Sequence, residues 1–234
     1  MPVFTGAQVL SPIESLRELA SGDKSIACFG DGELKLILDP LFNLGFQHQT
    51  PELRDELEAI LSSPADGLMI TLPQFARGHV GQKFWSEFGL PLKPLLIENY
   101  TYANTHVSRS LLFQQHGEEA VHLWNSIWNG KKVVVITGKG SRFDLVPELF
   151  GTAKAIERVD SLPRNAYSDV PNILKNETVL KAELVILSLG PSGTVLSSRL
   201  HQLGILSLDI GHLTSSYTHI MAGGNSPEQT PFVK

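Results

Sequence analysis

This 234-residue sequence has little of several features on which common classes of function depend. Its single cysteine, Cys28, excludes an internal disulfide and a zinc cluster built on cysteines. It lacks any apolar run near the roughly 20 residues that a membrane-spanning helix needs. It also lacks a basic stripe, and with a net charge of −5 we expect no binding to nucleic acid. Because no basic and apolar signal segment begins the chain, we expect a cytoplasmic protein.

Apolar segments with the length of buried strands alternate with amphipathic segments that have helix start and stop signals. This alternation predicts one α/β domain, a Rossmann-like parallel sheet covered by helices on both faces, with residues 222–234 as a loop or tail. The stretch 74–113 has no clean period. Strands are expected at 25–29, 67–72, 131–138, 154–162, 182–190 and 205–211, and helices at 11–22, 50–63, 117–130, 142–151, 169–179 and 192–204.

The first polar cluster at an expected strand end is Gly30-Asp31-Gly32-Glu33, in the string "FGDGE". In open α/β sheets, ligands bind beyond the carboxyl ends of the strands. If the chain is extended here, Asp31 and Glu33 point to the same side, because alternate residues of an extended chain do. Two carboxylates suit Mg²⁺ or Mn²⁺. The alternative is a solvated turn rich in glycine and aspartate.

A second cluster follows the strand expected at 182–190, in the string "LSLGPSGTV". There a strand ends, the chain turns, and a helix begins at a hydroxyl residue. Backbone N–H groups at such a helix start can hold a phosphate. The alternative is a tight turn with a hydroxyl cap. The residues of this candidate cradle are Gly190, Pro191, Ser192, Gly193 and Thr194.

The third cluster is "LDIGH", in which Asp209 closes the last expected strand and His212 follows it. These two side chains could bind a metal ion, hydrogen-bond a ribose or move a proton, and a strand-end aspartate that only caps a turn is the alternative. Cationic residues near strand ends would let an acidic protein bind an anionic substrate. The candidates are Arg109, Lys139 and Arg142, of which Arg142 could clamp a diphosphate.

Taken together and in order, these segments resemble the glycosyltransferases with the GT-D fold. The resemblance covers about residues 25–217. It is carried by "FGDGEL", "SRS", "GKGSRFDLVPELF", "LPRNAYSD", "LSLGPSGTVLSSRL" and "LGILSLDIGHLTSSY". It implies a metal-dependent transfer of a sugar, typically glucose, from a UDP-sugar to a glycan or glycoprotein acceptor.

The resemblance also nominates site residues. It implies that Asp31 and Glu33 hold a Mn²⁺ or Mg²⁺ ion on the donor diphosphate. It places Asp209 and His212 with them in the catalytic site. The residues that it nominates for substrate binding are Arg109, Arg142, Asn165 and the five residues of the candidate cradle.

The chain departs from the family's pattern in two places. After "DIGH" it has Thr214, Ser215 and Ser216 where acidic residues are expected, and after Arg142 it has Pro147-Glu148 where Asn-Asp is expected. These departures leave the acceptor and the catalytic base open. Two other classes of function remain: a hydrolase of nucleotide-sugars or phosphate esters on the same site, and a module that binds a nucleotide or glycan without turnover.

Overall fold

Eight parallel strands form one sheet in the computed structural model, which describes residues 7–74 and 79–229. The strands are β1 (Gln8–Val9), β2 (Ser25–Ala27), β3 (Leu68–Leu72), β4 (Thr101–Asn104), β5 (Lys132–Gly138), β6 (Ala155–Ser161), β7 (Leu184–Ser188) and β8 (Ser207–Asp209). The helices are α1 (Pro12–Ala20), α2 (Asp31–Leu38), α3 (Pro51–Ser62), α4 (His79–Leu92), α5 (Ser110–Trp128), α6 (Pro147–Phe150), α7 (Val170–Ile173), α8 (Glu177–Leu180), α9 (Pro191–Gln202) and α10 (Leu213–Met221).

The order of strands across the sheet is β1-β4-β3-β2-β8-β7-β5-β6. From β2 the chain builds outward through β3 to β4, and it then returns to build the other half of the sheet. The neighbours β2 and β8 therefore connect in opposite directions, which opens a crevice at their carboxyl ends.

Side chains of the central strands alternate between two cores, so helices cover both faces of the sheet. In β5, Val133 and Val135 pack with α1, α5 and α10, whereas Val134 and Ile136 pack with α7, α8 and α9. β7 alternates in the same way. The expected Rossmann-like parallel sheet with helices on both faces is confirmed.

The helix start signals act as the sequence indicated. Ser11 accepts a hydrogen bond from the backbone N–H of Glu14, and Glu14 accepts one in return from the Ser11 backbone, so α1 begins with a complete capping box. Thr50 caps α3 in a similar way by accepting from the backbone of Leu53. Within the described residues, no helix combines the length and the apolar character required to cross a bilayer.

Several elements differ from the expectation, and β1, α2 and α10 are among those that the sequence did not indicate. β4 lies inside the segment 74–113, where mixed polar and aromatic residues hid a four-residue strand. The helix expected at 117–130 begins earlier, at Ser110, and is interrupted at Gly117, whose φ is 42°. Part of the expected tail forms a short 3₁₀ turn at Pro227–Gln229, and residues 230–234 lie outside the described residues.

Candidate active site

One cavity of about 450 Å³ lies beyond the carboxyl ends of six strands, where β2 and β8 diverge. The connections after β2, β4, β8, β7, β5 and β6 all contribute to its lining. This is the position at which open α/β sheets bind ligands. Of the residues predicted for the site, it brings together Asp31, Glu33, Arg109, Arg142, Gly190, Asp209 and His212.

Asp31 and Glu33 lie on a helix, not on an extended chain. Gly30 is the N-cap of α2, and the Glu33 carboxylate accepts the Gly30 backbone N–H at 3.0 Å. Because residues two positions apart on a helix do not face the same direction, the expected convergence of the two carboxylates is wrong. The Asp31 side chain is 68% exposed and lies 3.5 Å from Lys35 Nζ. Both residues still line the cavity, Glu33 inside it and Asp31 at its rim.

Asp209 closes β8 and is only 5% exposed. Its Oδ2 accepts the backbone N–H of Cys28 at 3.2 Å, and the hydroxyl of Thr194 donates to it at 3.0 Å. A Cβ on Gly193 would come within 2.8 Å of Asp209 Oδ1, so the glycine leaves the room that this carboxylate occupies. The end of β8, the end of β2 and the start of α9 thus fix the Asp209 carboxylate together.

The enclosed carboxyl groups are electrostatically coupled. Burial raises the pKa of Asp209 well above 3.8, and the nearby Glu33 charge raises it further. Burial also raises the pKa of Glu33 above 4.5, although part of the residue reaches the surface, while the Arg109 guanidinium acts in the opposite direction. Burial and these two carboxylates raise the pKa of the Cys28 thiol to about 12, so the thiol is no nucleophile at neutral pH.

Two buried nitrogen atoms on residues that line the cavity, Arg109 Nε and His212 Nδ1, have no hydrogen-bond partner within the described residues. Burial lowers the pKa of His212 to about 3, with the Arg109 and Arg142 charges adding to the effect. His212 is therefore neutral at pH 7. Buried polar groups normally have hydrogen-bond partners. A bound ligand would therefore provide the partners that these two nitrogen atoms lack.

The predicted phosphate cradle lies mostly beneath the cavity. Among its five residues only Gly190 lines the cavity, and the other four, Pro191–Thr194, are buried. A Cβ on Gly190 would come within 2.6 Å of the Phe46 ring, and the Ser192 hydroxyl donates to Gln47 Oε1 at 2.9 Å. Phe46, Gln47 and Asp209 therefore occupy the space that the sequence assigned to a phosphate.

Asn165 does not line the cavity, and it binds protein backbone instead. Its N–H donates to the Phe46 carbonyl at 2.8 Å, and its Oδ1 accepts the His48 N–H at 2.8 Å. The neighbouring segment 44–48 also packs closely against Gly32, since a Cβ at position 32 would lie 3.3 Å from the Leu44 side chain. The segment 44–48, which lines the cavity through Leu44, Phe46 and Gln47, is the part of the site that the sequence did not indicate.

Cations outnumber carboxylates around the cavity. Four basic side chains line it against the three carboxylates of Asp31, Glu33 and Asp209, although the whole chain has a net charge of −5. Arg142 already contacts the chain, since its Nη1 donates to the Pro227 carbonyl. The lining therefore favours an anionic ligand. The basic residues are Arg109, Lys139, Arg142 and Arg164.

The described residues contain no group of three or more His, Cys, Asp or Glu side chains arranged to hold a metal ion. Glu33 and Asp209 are two carboxyl groups in the same cavity, burial raises the pKa of each, and the Glu33 charge raises the pKa of Asp209 further. Such a set fits an ion like Mg²⁺ that takes one or two protein carboxylates and completes its shell with water and phosphate oxygens. It does not fit an ion that needs a full protein cage.

Comparison with known proteins identifies relatives of this chain. A family model described as "Glycosyltransferase GT-D fold" matches residues 26–227. The chain is 29% identical over 231 residues to "Probable glycosyl transferase Gly" of Streptococcus gordonii, covering 93% of this chain and 33% of that protein. It is 25% identical over 232 residues to "Glycosyltransferase GlyD" of Streptococcus pneumoniae serotype 4, covering 94% and 28%. The chain thus spans about a third, or less, of the length of these curated relatives.

Solved structures share the same architecture. One, described as a new glycosyltransferase from Streptococcus sanguinis, has a TM-score of 0.81 at 28% identity and covers 93% of this chain and 86% of its own. Another is described as a conserved domain of unknown function with a distinct glycosyltransferase fold. It has a TM-score of 0.80 at 26% identity and covers 94% of this chain and 84% of its own.

Proposed function

The chain belongs to the family of glycosyltransferases with the GT-D fold, and we propose that it transfers a hexosyl group, glucose in the first instance, from a UDP-sugar to a glycan or glycoprotein. The observation that carries the proposal is the cavity at the β2–β8 crevice. Basic side chains outnumber carboxylates in its lining, and Arg109 and His212 have buried nitrogen atoms with no hydrogen-bond partner among the residues that the structure describes. A diphosphate with a polar sugar would supply both the negative charge and the missing hydrogen-bond partners. A cytoplasmic site of action is part of the proposal, because a charged nucleotide-sugar does not cross a bilayer unaided.

In the proposed reaction, the bond between sugar C1 and the diphosphate oxygen breaks and its electron pair stays on the diphosphate. The acceptor hydroxyl oxygen forms the new bond to C1 and gives up its proton. Lys139, Arg142 and Arg164 line the cavity and would stabilise the negative charge that develops on the leaving diphosphate. Asp209 is our candidate for the base, because its carboxyl group lines the cavity and burial raises its pKa.

His212 has a different role in this proposal. With a pKa of about 3 its imidazole is too weak a base to accept the acceptor's proton at neutral pH. A neutral imidazole can both donate and accept a hydrogen bond. It would therefore orient a sugar hydroxyl or a phosphate oxygen.

A divalent cation, Mn²⁺ or Mg²⁺, is part of the proposal. Glu33 would hold it from inside the cavity, and Asp31 would contribute from the rim or through water. When bound, such an ion would act as a Lewis acid on the diphosphate. Glu33 and Arg109 would also fix the donor beside Asp209, since both line the same cavity.

The test uses the purified chain with a panel of UDP-sugars, scored for released UDP with and without a glycan acceptor. We expect acceptor-dependent release that EDTA abolishes and added Mn²⁺ restores. Release that does not depend on an acceptor would identify a hydrolase instead, and binding without release would identify a module without turnover.

Substitution separates the two acids of "FGDGE". We expect Glu33→Gln to lose at least 100-fold in UDP release, because its enclosed carboxylate has no substitute. Asp31→Asn should lose less, because Asp31 is mostly exposed and near Lys35. Asp23→Asn is the matched control, since this exposed carboxylate precedes the amino end of β2, whereas the cavity lies beyond the carboxyl ends of the strands. Full activity of the parent in EDTA, or of Glu33→Gln, would contradict the metal assignment.

A further inference from the structure

The segment Leu44–His48, here called the 44–48 loop, forms one wall of the cavity although it follows no strand. It closes on itself through reciprocal backbone hydrogen bonds between Leu44 and Gln47, at 3.0 and 3.3 Å. It lies between α2 and α3, and Leu44, Phe46 and Gln47 line the cavity. The fold of the sheet does not fix such a loop, so other contacts must hold it.

Asn165 holds the loop on both sides of Gln47. Its backbone N–H donates to the Phe46 carbonyl and its side-chain Oδ1 accepts the His48 N–H, both at 2.8 Å. Asn165 has φ 52° and ψ 42°, a left-handed conformation that asparagine, aspartate and glycine adopt more readily than other residues. Next to it, Arg164 donates to the Gly45 carbonyl at 3.2 Å.

Gln47 ties the same loop to the start of α9. The residue is 2% exposed, and its Oε1 accepts the Ser192 hydroxyl at 2.9 Å and the Tyr167 N–H at 3.4 Å. Its Nε2 donates to the His48 carbonyl at 3.0 Å. Every polar atom of this buried amide is therefore used within the protein, which makes Gln47 a structural support and leaves the ligand-facing surface to its neighbours.

Phe46 presents that surface. Its ring contacts Gly190, where φ is 56° and any Cβ would lie within 2.6 Å of the ring, and the ring also lines the cavity. Apolar residues continue the same wall. They are Leu44, Leu162, Pro163, Ala166 and Leu189.

The cavity extends along the sheet, and both apolar and charged side chains line it. Glu33 and Asp209 belong to the ends of β2 and β8, whereas Leu162 and Pro163 follow β6, four strand spacings from β2. At about 4.8 Å for each spacing this distance is about 19 Å. The basic residues Lys139 and Arg142 follow β5, between these two ends. A ligand that matches this lining has a flat apolar ring against the apolar wall and negatively charged groups beside the basic residues.

We propose that the 44–48 loop is the wall against which the base of the donor nucleotide packs, with Phe46 as the specificity-determining side chain and Asn165 as the residue that positions it. This inference rests on the proposed function and goes beyond it. It assigns the base to the apolar wall that Phe46 and its apolar neighbours form, and it leaves the diphosphate to the basic residues and to the ion that Glu33 would hold. It also assigns Asn165 a role without contact to the substrate.

The first test compares two probes, UDP and inorganic diphosphate, by calorimetry. Phe46→Ala should weaken UDP binding about tenfold, since stacking of a base on an aromatic ring contributes roughly 1–3 kcal/mol. It should leave binding of inorganic diphosphate, which has no base, unchanged. An equal loss for both probes, or no loss for UDP, would overturn the assignment of the base to this wall.

The second test isolates the side chain of Asn165. Asn165→Gly keeps the left-handed backbone and the N–H to Phe46 but loses the acceptor for His48, whereas Asn165→Asp keeps that acceptor. We expect Asn165→Gly to raise the KM for the donor about fivefold with little change in kcat, and Asn165→Asp to stay within twofold of the parent. Gln49→Ala is the matched control, because the Gln49 side-chain nitrogen has no partner in the described part of the chain. Equal behaviour of the glycine and aspartate variants would overturn the positioning role.

A measurement on the unaltered protein covers the case in which a variant does not fold. Saturation of the aromatic protein resonances should transfer to the base protons of bound UDP more strongly than to its ribose protons. The reverse order would overturn the proposal. If the base does not pack against the 44–48 loop, acceptor-dependent release of UDP by the parent should still be observed. If the proposed function is wrong, no such release should be observed.

Discussion

At the scale of single residues, the enclosed carboxyl groups of Glu33 and Asp209 decide much of the site's chemistry. Burial raises the pKa of both, the Glu33 charge further disfavours ionisation of Asp209, and the Arg109 charge opposes these effects. Such an arrangement costs folding free energy, and a bound cation would relieve it. The same coupling makes the stability of the protein depend on pH.

Both carboxyl groups have folded-state pKa values above their ordinary values of 4.5 and 3.8. Between these ordinary pKa values and the raised folded-state pKa values, the folded protein holds protons that the unfolded chain releases. The free energy of unfolding therefore falls as pH rises through this range. We expect the fall between pH 5 and pH 7.5 to be smaller in Asp209→Asn, because the variant lacks one of the two groups with a raised pKa. Denaturant unfolding at both pH values, without divalent ions, measures it. An identical fall in parent and variant would contradict the coupling.

Single residues also show where the sequence was sufficient. The strand-end positions of Asp209 and His212 followed from the buried apolar run before them, and both line the cavity. The orientation of the Asp31 side chain could not be predicted from the sequence, because a helix that begins at a glycine N-cap has the same local sequence as a polar turn. Phe46 could not be found, since its role depends on contact with Gly190, which is 144 positions away in the chain.

At the scale of elements, a three-residue clamp joins α3 to α9 and to the turn that carries Asn165. Arg199 donates to both oxygens of Glu56, at 2.6 and 2.7 Å, and the Tyr167 hydroxyl donates to Glu56 Oε2 at 2.8 Å. Burial and the nearby Glu56 raise the pKa of Tyr167 to about 12. Because Tyr167 also donates its backbone N–H to Gln47, the clamp supports the 44–48 loop from behind.

Loss of the clamp should cost stability. The two charged side chains are 36% and 22% exposed, so the pair lies between a surface ion pair and a buried one. We expect Glu56→Ala to lower the free energy of unfolding by about 1–2 kcal/mol. Denaturant unfolding measures the difference, and Glu58→Ala on the same helix should change stability by less than about 0.5 kcal/mol. Equal effects of the two substitutions would show that the clamp adds nothing to packing.

Elements with strong local signals were predictable, and elements without them were not. α1 and α3 have a capping residue followed by proline, and both begin where the sequence indicates. β5 and β7 are continuous apolar runs that are buried on both faces. β4 has only four residues and pairs with β1 and β3 through tertiary packing, so no local pattern marks it.

At the scale of the whole molecule, charge is distributed unevenly. The chain has a net charge of −5, yet basic side chains outnumber carboxylates around the cavity. A negatively charged protein repels an anionic substrate at long range, and at physiological ionic strength salt screens that repulsion beyond about 8–10 Å. The local excess of cations acts at shorter range, inside the cavity, where the surrounding protein weakens charges less than water does.

Binding of the donor nucleotide should therefore stabilise the entire fold, since the connections after six strands of the sheet meet at the cavity. UDP at 100 times its dissociation constant would add about 2.7 kcal/mol to the free energy of unfolding. For a chain of this size each kcal/mol raises Tm by about 2–4 °C, so we expect a shift of roughly 5–11 °C with UDP and Mn²⁺. Differential scanning fluorimetry measures the shift, and uridine at the same concentration is the control without phosphates. The shift should shrink when EDTA replaces Mn²⁺, and Glu33→Gln should make it independent of the ion. A shift in Glu33→Gln that still depends on Mn²⁺ would place the ion away from Glu33.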